Sequence, residues 1–419
     1  MVRTGGQGVI TALDVGTSKV AALIAEVSED GAIRVLGSGQ RACQGVKRGY
    51  IADREKAEIA IRQAVDQAER NAGVSVEGAW VGFSAGGLDS DVAHFDVDIG
   101  GHQVHQGDLN SVLDEARQNI DPGGRTILHA QPALYTLDEL QGVLNPLGLH
   151  ANRLGVDIHI VTADTPPVQN LDLTVRHAHL GVESIVAAPL ASGMACLSRE
   201  ERELGVALIE MGAGVTNVAV FAGGMLVGLS SIPVGGGDVT DDIASAFATR
   251  REHAERLKCF HGAATMTPSD NHAMVEVVGV SDEDGADAGR ATRAQLIAVI
   301  RQRLDLIVAE IGQRLIEMGF TGPGGRQVVL TGGGAELKGI ADFAQGALGR
   351  AVRVGRPAGI IGLPETQGGA AFSCVAGLAI HAASGAVDFR RATGGEQTVV
   401  RSSAGSIIGR LLTAFRNNF

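Results

Sequence analysis

The sequence predicts an α/β protein of two related lobes with a ligand cleft between them. Residues 8–27 and 205–224 share one layout, in which an apolar strand ends in an acidic residue, a turn of glycine and hydroxyl residues follows, and a second apolar strand leaves. Two such hairpins about 200 residues apart indicate a duplicated unit. A third strand runs into three glycines at residues 331–334, and a helix is predicted to begin near Ala335.

Periodicity predicts further elements of the first lobe. Residues 54–72 form a predicted helix, and residues 79–84 form a predicted buried strand. From about residue 84 to residue 159, clusters of Gly, His, Asp and Pro interrupt short apolar runs, so we expect a small inserted subdomain there. The predicted apolar face of the helix consists of Ile59, Ile61, Ala64, Val65 and Ala68.

Composition limits the possible functions. A chain of 419 residues is too long for one compact core, so two or more domains are expected. The net charge of −12 argues against broad nucleic-acid binding, and no nucleic-acid partner is expected. The four cysteines have no C-x-x-C spacing, which favours small buried thiols in a reducing cytosol. We expect neither a secretory signal nor a membrane-spanning helix, because no apolar run is long enough.

The first turn, DVGTSK, has the composition of a phosphate site. Gly16 lets the backbone approach a ligand closely, Thr17 and Ser18 offer hydroxyl donors, and Lys19 adds positive charge. Asp14 would repel a phosphate unless a cation lay between them. The combination therefore predicts Mg²⁺, held mostly through water.

The second turn offers a similar set without the lysine: Glu210, Gly212, Gly214 and Thr216. Neither turn is a Walker P-loop, because G-x-x-x-x-G-K-[ST] is absent and a strand follows where a helix should. Neither is a dinucleotide-binding fingerprint, because the third glycine and its helix are missing. Taken singly, each hairpin is more often an ordinary turn, and it is the pair that favours a ligand cleft.

Two further stretches suit the rest of a nucleotide. Gly332, Gly333 and Gly334 leave room for a ring or sugar, although an ordinary strand-to-helix turn explains them equally well. Glu255 and Lys258 stand three residues apart on one face of a predicted helix. Without context, a solvated surface pair is the simpler interpretation of those two residues.

The order of these motifs resembles the superfamily of actin, hexokinase and heat-shock-chaperone ATPases, and within it most closely the FtsA family of bacterial cell-division actin homologues. Three stretches carry the closer resemblance: QGVKRGYIADRE at 44–55, SIPVGGGDVTDDIA at 231–244 and ERLKCFHGAA at 255–264. Residues 374–380, CVAGLAI, resemble the last helix of the family's first lobe. The resemblance covers nearly the whole chain. It implies an actin-like ATPase fold, with two ribonuclease-H-like lobes and an inserted subdomain called 1C.

The resemblance also implies the subdomain boundaries. These are subdomain 1A at 1–83, 161–204 and 357–384, inserted subdomain 1C at 84–160, subdomain 2A at 205–239 and 307–356, subdomain 2B at 240–306, a flexible linker at 385–405, and an amphipathic membrane-targeting helix at 406–419.

By the same resemblance, ATP and Mg²⁺ would occupy the cleft. Asp14, and Glu210 through water, would face the metal. Glu210 and Asn217 replace aspartates that are usual in the family, which puts hydrolysis more in doubt than binding. No residue is assigned as catalytic base, so at most slow ATP hydrolysis is expected. The implied nucleotide contacts are Asp14, Gly16, Thr17, Ser18, Lys19, Gly212, Gly214, Thr216, Glu255, Lys258, Gly332, Gly333 and Gly334.

A partner site is implied as well. Residues 299–308 resemble the subdomain 2B helix that receives the C-terminal peptide of FtsZ, the tubulin-like division protein. Arg303 matches the arginine that meets acidic residues of that peptide, and a guanidinium suits a carboxylate well. Taken alone, Arg303 would be interpreted as a surface charge of the helix.

The segment SIIGRLLTAFRNNF at 406–419 combines an apolar face with arginines and has no acidic residue. On a helix its apolar side chains fall within an arc of roughly 140°. It resembles the membrane-targeting helix of the family, and a helix docked on its own domain is the alternative. The residues expected to meet an anionic membrane are Ile407, Ile408, Arg410, Leu411, Leu412, Phe415 and Arg416.

The sequence is therefore expected to encode an ATP-binding protein that polymerises at the division site, on the cytoplasmic face of the inner membrane, and anchors FtsZ filaments. Two alternatives are a pilus-assembly actin homologue, which would not need its own lipid-binding tail, and a small-metabolite kinase, which would need an acceptor pocket with a base. A chaperone ATPase would be expected to carry a substrate domain after residue 384.

Overall fold

The computed structural model describes residues 8–280, 289–321 and 327–384. The predicted linker at 385–405 and the predicted terminal helix at 406–419 lie outside the described residues. In the described residues, no helix is both long enough and apolar enough to cross a membrane.

The first segment folds as the alternating and helical patterns predict. Helix α1 begins after Asp53, whose side chain accepts a hydrogen bond from the Lys56 amide, and ends at Gly73 in the left-handed conformation. Ile59, at 52% exposure, lies outside the buried face that was predicted to include it. The elements are β1 (Gly8–Val15), β2 (Lys19–Val27), β3 (Ile33–Ala42), β4 (Val46–Lys47), β5 (Tyr50–Ile51), α1 (Arg54–Ala72) and β6 (Gly78–Phe83).

The predicted insertion is a small α/β unit with its own core. Buried Val112 of its helix packs with Leu154, Val156 and Ile158 of its central strand. The elements are β7 (Asp89–Asp98), α2 (Gln106–Asn119), β8 (Thr126–Leu137), β9 (Leu140–Val143) and β10 (Arg153–Ala163).

The chain then completes the first lobe. It adds α3 (Thr165–His177), β11 (Gly181–Ala187), α4 (Ala188–Cys196) and α5 (Arg199–Leu204). The resulting sheet has the order β11-β6-β1-β2-β3. Strand β2 is antiparallel to both β1 and β3, whereas β6 pairs in parallel with β1 and with β11.

The second lobe repeats this plan. Its sheet order, β18-β17-β12-β13-β14, shows the same sequence of antiparallel and parallel pairings, which confirms the predicted duplication. The elements are β12 (Val206–Met211), β13 (Thr216–Ala222), β14 (Met225–Ile232), α6 (Gly236–Ala246), α7 (Arg251–His261), β15 (Met274–Val277), β16 (Gly289–Thr292), α8 (Arg293–Glu317), β17 (Gln327–Thr331), α9 (Ile340–Leu348) and β18 (Ala351–Val354). Helix α10 (Ser373–Ala383) then packs on the first lobe, against α4 and β1.

Two further local predictions were wrong. The helix expected near Ala335 is a short 3-10 turn, Gly333–Glu336, and α9 begins only at Ile340 because Gly339 adopts the left-handed conformation with φ 76°. Cys259 is exposed, whereas the other three cysteines are buried as expected.

The insertion joins the sheet of the second lobe. Ser230 of β14 pairs with Asp89 of β7, so the sheet continues through β10, β8 and β9. The Ser90 hydroxyl reinforces this junction, because it donates to the Leu229 carbonyl and accepts from the Leu229 amide. The insertion therefore connects to both lobes, although its place in the sequence is within the first.

His159, on β10, is fully buried, and neither of its ring nitrogens has a hydrogen-bond partner. Burial, with a smaller contribution from His129, lowers its pKa from 6.5 to about 3. The unfolded chain therefore binds a proton that the folded chain excludes, and stability is lost as pH falls from 6.5 toward 3. We expect His159 alone to remove about 2 kcal/mol of unfolding free energy between about pH 7 and about pH 5.

Urea unfolding of wild type and His159→Leu across this range measures that loss. The variant should show a flatter dependence on pH, and His150→Gln, at an exposed position of the insertion, is the matched control. If the unfolding free energies of wild type and His159→Leu fell equally between about pH 7 and about pH 5, His159 would not be the cause of the loss.

Candidate functional site

The turns that follow β1 and β12 close in the same way. The Gly16 amide donates to the Lys19 carbonyl over 3.0 Å, and the Gly212 amide donates to the Val215 carbonyl over 2.8 Å. A Cβ atom at Gly16 or Gly212 would lie 3.0 Å or 2.8 Å from the same carbonyl oxygens. Both turns therefore favour glycine at equivalent positions.

The tips of the two turns touch. A Cβ atom on Gly214 would lie 3.0 Å from the Thr17 hydroxyl and 3.1 Å from the backbone of Arg48. Thr17 also accepts a 3.3 Å hydrogen bond from the Gly49 amide, whereas Ser18 is exposed. The structure thus brings one turn from each lobe into a single cleft.

Asp14 lies at the base of this cleft, at the end of β1. Burial raises the pKa of its carboxyl, while the charge of Lys19 and a hydrogen bond with Cys374 act in the opposite direction. Burial, followed by the charges of Asp14 and Glu210, raises the pKa of the Cys374 thiol well above its usual value. Asp14 and Glu210 therefore lie near the same buried thiol, Cys374, although they belong to opposite lobes.

Glu210 is held by two side chains. The Ser192 hydroxyl donates to one carboxylate oxygen over 2.5 Å, and the Asn217 amide donates to the other over 2.8 Å. Burial raises the pKa of Glu210 to about 7, and the charge of Asp14 adds to this effect. Because both oxygens are already engaged, Glu210 is less available to a ligand than Asp14.

Asn217 also connects the lobes. Its side-chain amide donates to the Ser84 hydroxyl over 2.8 Å, and its carbonyl accepts from Ser231 over 2.5 Å. Thr216, fully buried beside it, donates to the Val234 carbonyl. The hydroxyl proton of Thr216 is therefore already used within the second lobe.

The three-glycine segment after β17 packs against β12. Gly332 adopts φ 82°, and a Cβ atom there would lie 2.5 Å from the Met211 carbonyl. A Cβ atom on Gly334 would lie 2.8 Å from the Met211 side chain, whereas a Cβ atom on Gly333 would lie 3.9 Å from its nearest neighbour, the Ala371 methyl group. Gly332 and Gly334 are thus required by packing within the lobe, and Gly333 leaves open space.

Lys258 and Glu255 lie beside this segment and form a salt bridge of 2.7 Å. The Lys258 ammonium also donates to the Gly236 carbonyl and the Thr240 hydroxyl, both at 2.8 Å, and its side chain is only 15% exposed. Gly236 in turn faces Gly334, because a Cβ atom on Gly236 would lie 3.9 Å from the Gly334 Cα atom. The pair is therefore part of a cluster at the cleft, rather than a solvated surface pair.

An ion pair that the sequence reasoning missed spans the two lobes. Arg48, at the β4–β5 turn with φ 50°, lies 2.8 Å from Asp238 at the start of α6. Asp238 also accepts from the Gly235 amide over 2.8 Å. Three glycines directly precede Asp238 and are a local signal of a turn. No local pattern links Asp238 to Arg48, which lies 190 positions earlier in the chain.

Arg303 lies on α8 and is already paired. Its guanidinium makes two hydrogen bonds of 2.7 Å with Asp242 of α6, and its side chain is 30% exposed. A carboxylate from a partner would have to share or displace Asp242.

The cleft suits a phosphate-bound, hydrated cation better than a metal held by the protein alone. Across residues 8–280, 289–321 and 327–384, no group of three or more His, Cys, Asp or Glu side chains could hold a metal ion. Asp14 offers one carboxylate at the end of β1, beside the first glycine turn. A Mg²⁺ ion there would take most of its ligands from phosphate and water, as this ion prefers.

The duplicated sheets and the paired glycine turns define an actin-like ATPase fold. Solved structures with this fold include the PilM–PilN type IV pilus biogenesis complex, at a TM-score of 0.62 and 16% identity over 89% of this chain and 98% of that chain. MreB 5 of Spiroplasma citri bound to AMPPNP has a TM-score of 0.51 and 14% identity, covering 90% of this chain and 95% of that chain. At these identities the likeness concerns the fold alone.

The chain belongs to the FtsA family. The model for cell division protein FtsA matches residues 207–377, and the model for the SHS2 domain inserted in FtsA matches residues 86–162. Cell division protein FtsA of Agrobacterium fabrum is 38% identical over 409 residues, which cover 95% of this chain and 92% of that protein. FtsA of Escherichia coli K12 is 31% identical over 426 residues, covering 100% of both chains.

Proposed function

We propose that this protein binds ATP with Mg²⁺ between its lobes and acts in cell division as a membrane-bound, actin-like polymer that anchors FtsZ filaments. The observation that carries the nucleotide part is the close approach of Thr17 to Gly214, where a Cβ atom would lie 3.0 Å from the Thr17 hydroxyl, so that two equivalent glycine turns, one from each lobe, are neighbours. Membership of a family of cell-division proteins supports the cellular part.

In this proposal the turns Gly16–Lys19 and Gly212–Thr216 hold phosphates through backbone amides and the Lys19 charge. Asp14, and Glu210 through water, would face a hydrated Mg²⁺ ion, which would supply positive charge against the phosphates. Gly332–Gly334, with Glu255 and Lys258, would hold the adenosine. No side chain is assigned as a general base, so ATP acts mainly as a ligand that closes the lobes.

The partner site is proposed at α8. An acidic peptide from FtsZ would compete with Asp242 for Arg303, whose charge remains available because the pair is partly exposed. This competition implies modest affinity for a single peptide, and many peptides along a filament would strengthen attachment.

Membrane attachment is proposed through residues 406–419. Burying five apolar side chains releases several kcal/mol at about 25 cal/mol per Å², but ordering about ten residues costs roughly 1–2 kcal/mol each. Arg410 and Arg416 add about 1 kcal/mol each near anionic lipid. One such helix therefore binds weakly, and a polymer with many helices would bind stably.

Deleting residues 406–419 is expected to abolish co-sedimentation with anionic liposomes while leaving ATP affinity unchanged. Replacing Ile408 and Leu412 by glutamine should have nearly the same effect, whereas Thr413→Gln, on the polar face, should not. Unchanged sedimentation of the deletion variant would refute the membrane proposal and favour a helix docked on the protein.

The combined proposal is tested by pelleting FtsZ with liposomes. FtsZ should sediment only when this protein and ATP are both present, and less when Arg303→Glu replaces the wild type. If FtsZ stays in the supernatant, the anchoring role fails. The alternative roles of a pilus-assembly homologue and a metabolite kinase have weaker support, because the PilM–PilN likeness concerns fold alone.

A further inference from the structure

Lys19 is the one candidate phosphate ligand whose side chain lies against an aromatic ring in the described residues. Its ammonium nitrogen lies 3.3 Å from the centroid of the Phe372 ring. Phe372 is 7% exposed and directly precedes α10, so the ring is fixed by the packing of that helix. An ammonium over a ring face is attracted by the ring quadrupole, most strongly where water is excluded.

A carboxylate fixes the turn that carries this ring. Glu336, the last residue of the turn Gly333–Glu336, accepts a 3.2 Å hydrogen bond from the Ala371 amide and also contacts Gly369. Its charge acts on Lys19 together with that of Asp14. The Gly332 amide adds a 3.1 Å hydrogen bond to the Ala370 carbonyl, so two hydrogen bonds join the glycine segment to the turn that precedes Phe372.

We propose that Phe372 is a positioning residue that holds the Lys19 ammonium for the nucleotide phosphates, and that Glu336 ties this ring to the glycine segment on which the adenosine would lie. The proposal rests on the proposed binding of ATP and goes beyond it, because it links the two ends of the ligand through one turn. A purely structural Phe372 would fill space in the core and would have no specific effect on Lys19.

The test compares Phe372→Leu with Phe372→Tyr in the full chain. Leucine keeps much of the volume without the ring face, and tyrosine keeps the ring. By calorimetry, Phe372→Leu should weaken ADP with Mg²⁺ by about fivefold and change adenosine affinity by less than about twofold, whereas Phe372→Tyr should stay near wild type. In a Lys19→Gln background, Phe372→Leu should have no further effect on ADP.

Equal losses for ADP and adenosine, or an undiminished effect of Phe372→Leu in the Lys19→Gln background, would overturn the proposal. If wild type binds neither ADP nor ATP, the proposed function itself fails, and the affinities do not address Phe372. A second measurement then decides on the ring contact alone. After reductive ¹³C-methylation of wild type, the Lys19 signal, assigned with Lys19→Arg, should be shifted upfield by the ring; a signal at the ordinary lysine position would refute the contact.

Discussion

Replacing Gly214 by valine is expected to lower the affinity for ATP with Mg²⁺ by at least about tenfold, because the two turns could no longer meet. A Cβ atom at this position would already lie 3.0 Å from Thr17 and 3.1 Å from the Arg48 backbone, and valine adds two methyl groups beyond it. The lobes would have to separate, so that the amides of one turn would lose the phosphates held by the other. Isothermal titration calorimetry measures the loss.

Two variants control this experiment. Gly214→Ala should give a smaller loss, since a single methyl group requires shifts of only a few tenths of an ångström. Gly346→Ala, in α9, brings the new methyl group within 4 Å of no atom outside the adjacent helix backbone and should bind ATP like wild type. Wild-type affinity in Gly214→Val would mean that the turns do not act on the same ligand.

The second large effect is expected at Asp14. If its carboxylate faces a hydrated Mg²⁺ ion, wild type should bind ATP more tightly in Mg²⁺ than in EDTA, and Asp14→Asn should reduce that ratio at least about tenfold, as a lost charge-assisted contact implies. The substitution preserves size, so the fold should survive. Calorimetry in the two buffers gives the ratio for each variant.

Glu210→Gln is the matched comparison. Its carboxyl oxygens accept from Ser192 and Asn217, and burial raises its pKa to about 7. A glutamine can keep both hydrogen bonds, because its oxygen can accept from Asn217 while the Ser192 hydroxyl rotates to accept from its NH₂ group. The Mg²⁺ ratio of this variant should stay within about threefold of wild type, since no direct metal contact is removed. If Glu210→Gln lowered the ratio of ATP affinities in Mg²⁺ and in EDTA as much as Asp14→Asn does, the metal would lie between the two carboxylates instead.

Local patterns in the sequence were sufficient to predict the duplicated hairpins. In β1–β2 and in β12–β13, two apolar strands flank a turn of glycine and hydroxyl residues. This pattern lies within about 20 consecutive residues, so it can be recognised without knowledge of tertiary contacts. The start of α9 was misjudged because Gly339, in the left-handed conformation, breaks the segment after Leu337. The sequence of three glycines suggested a helix start, but packing against Met211 determined the turn.

Contacts between distant segments were beyond the reach of those patterns. The junction of Ser230 with Asp89, which attaches the insertion to the second lobe, has no local signature. The same holds for Arg48 with Asp238 and for Lys19 with Phe372. Arg303 is a different case. The resemblance implied that it binds a partner protein, and the sequence did not show that it pairs with Asp242 of the same chain.

The central claim is that equivalent turns of two lobes hold one magnesium-bound nucleotide. A crystal structure with a non-hydrolysable ATP analogue and Mg²⁺ tests it most directly. We predict that backbone amides of both Gly16–Lys19 and Gly212–Thr216 lie within about 3.2 Å of phosphate oxygens of the same analogue. An analogue held by the amides of one turn only, or bound outside the cleft, would contradict the account.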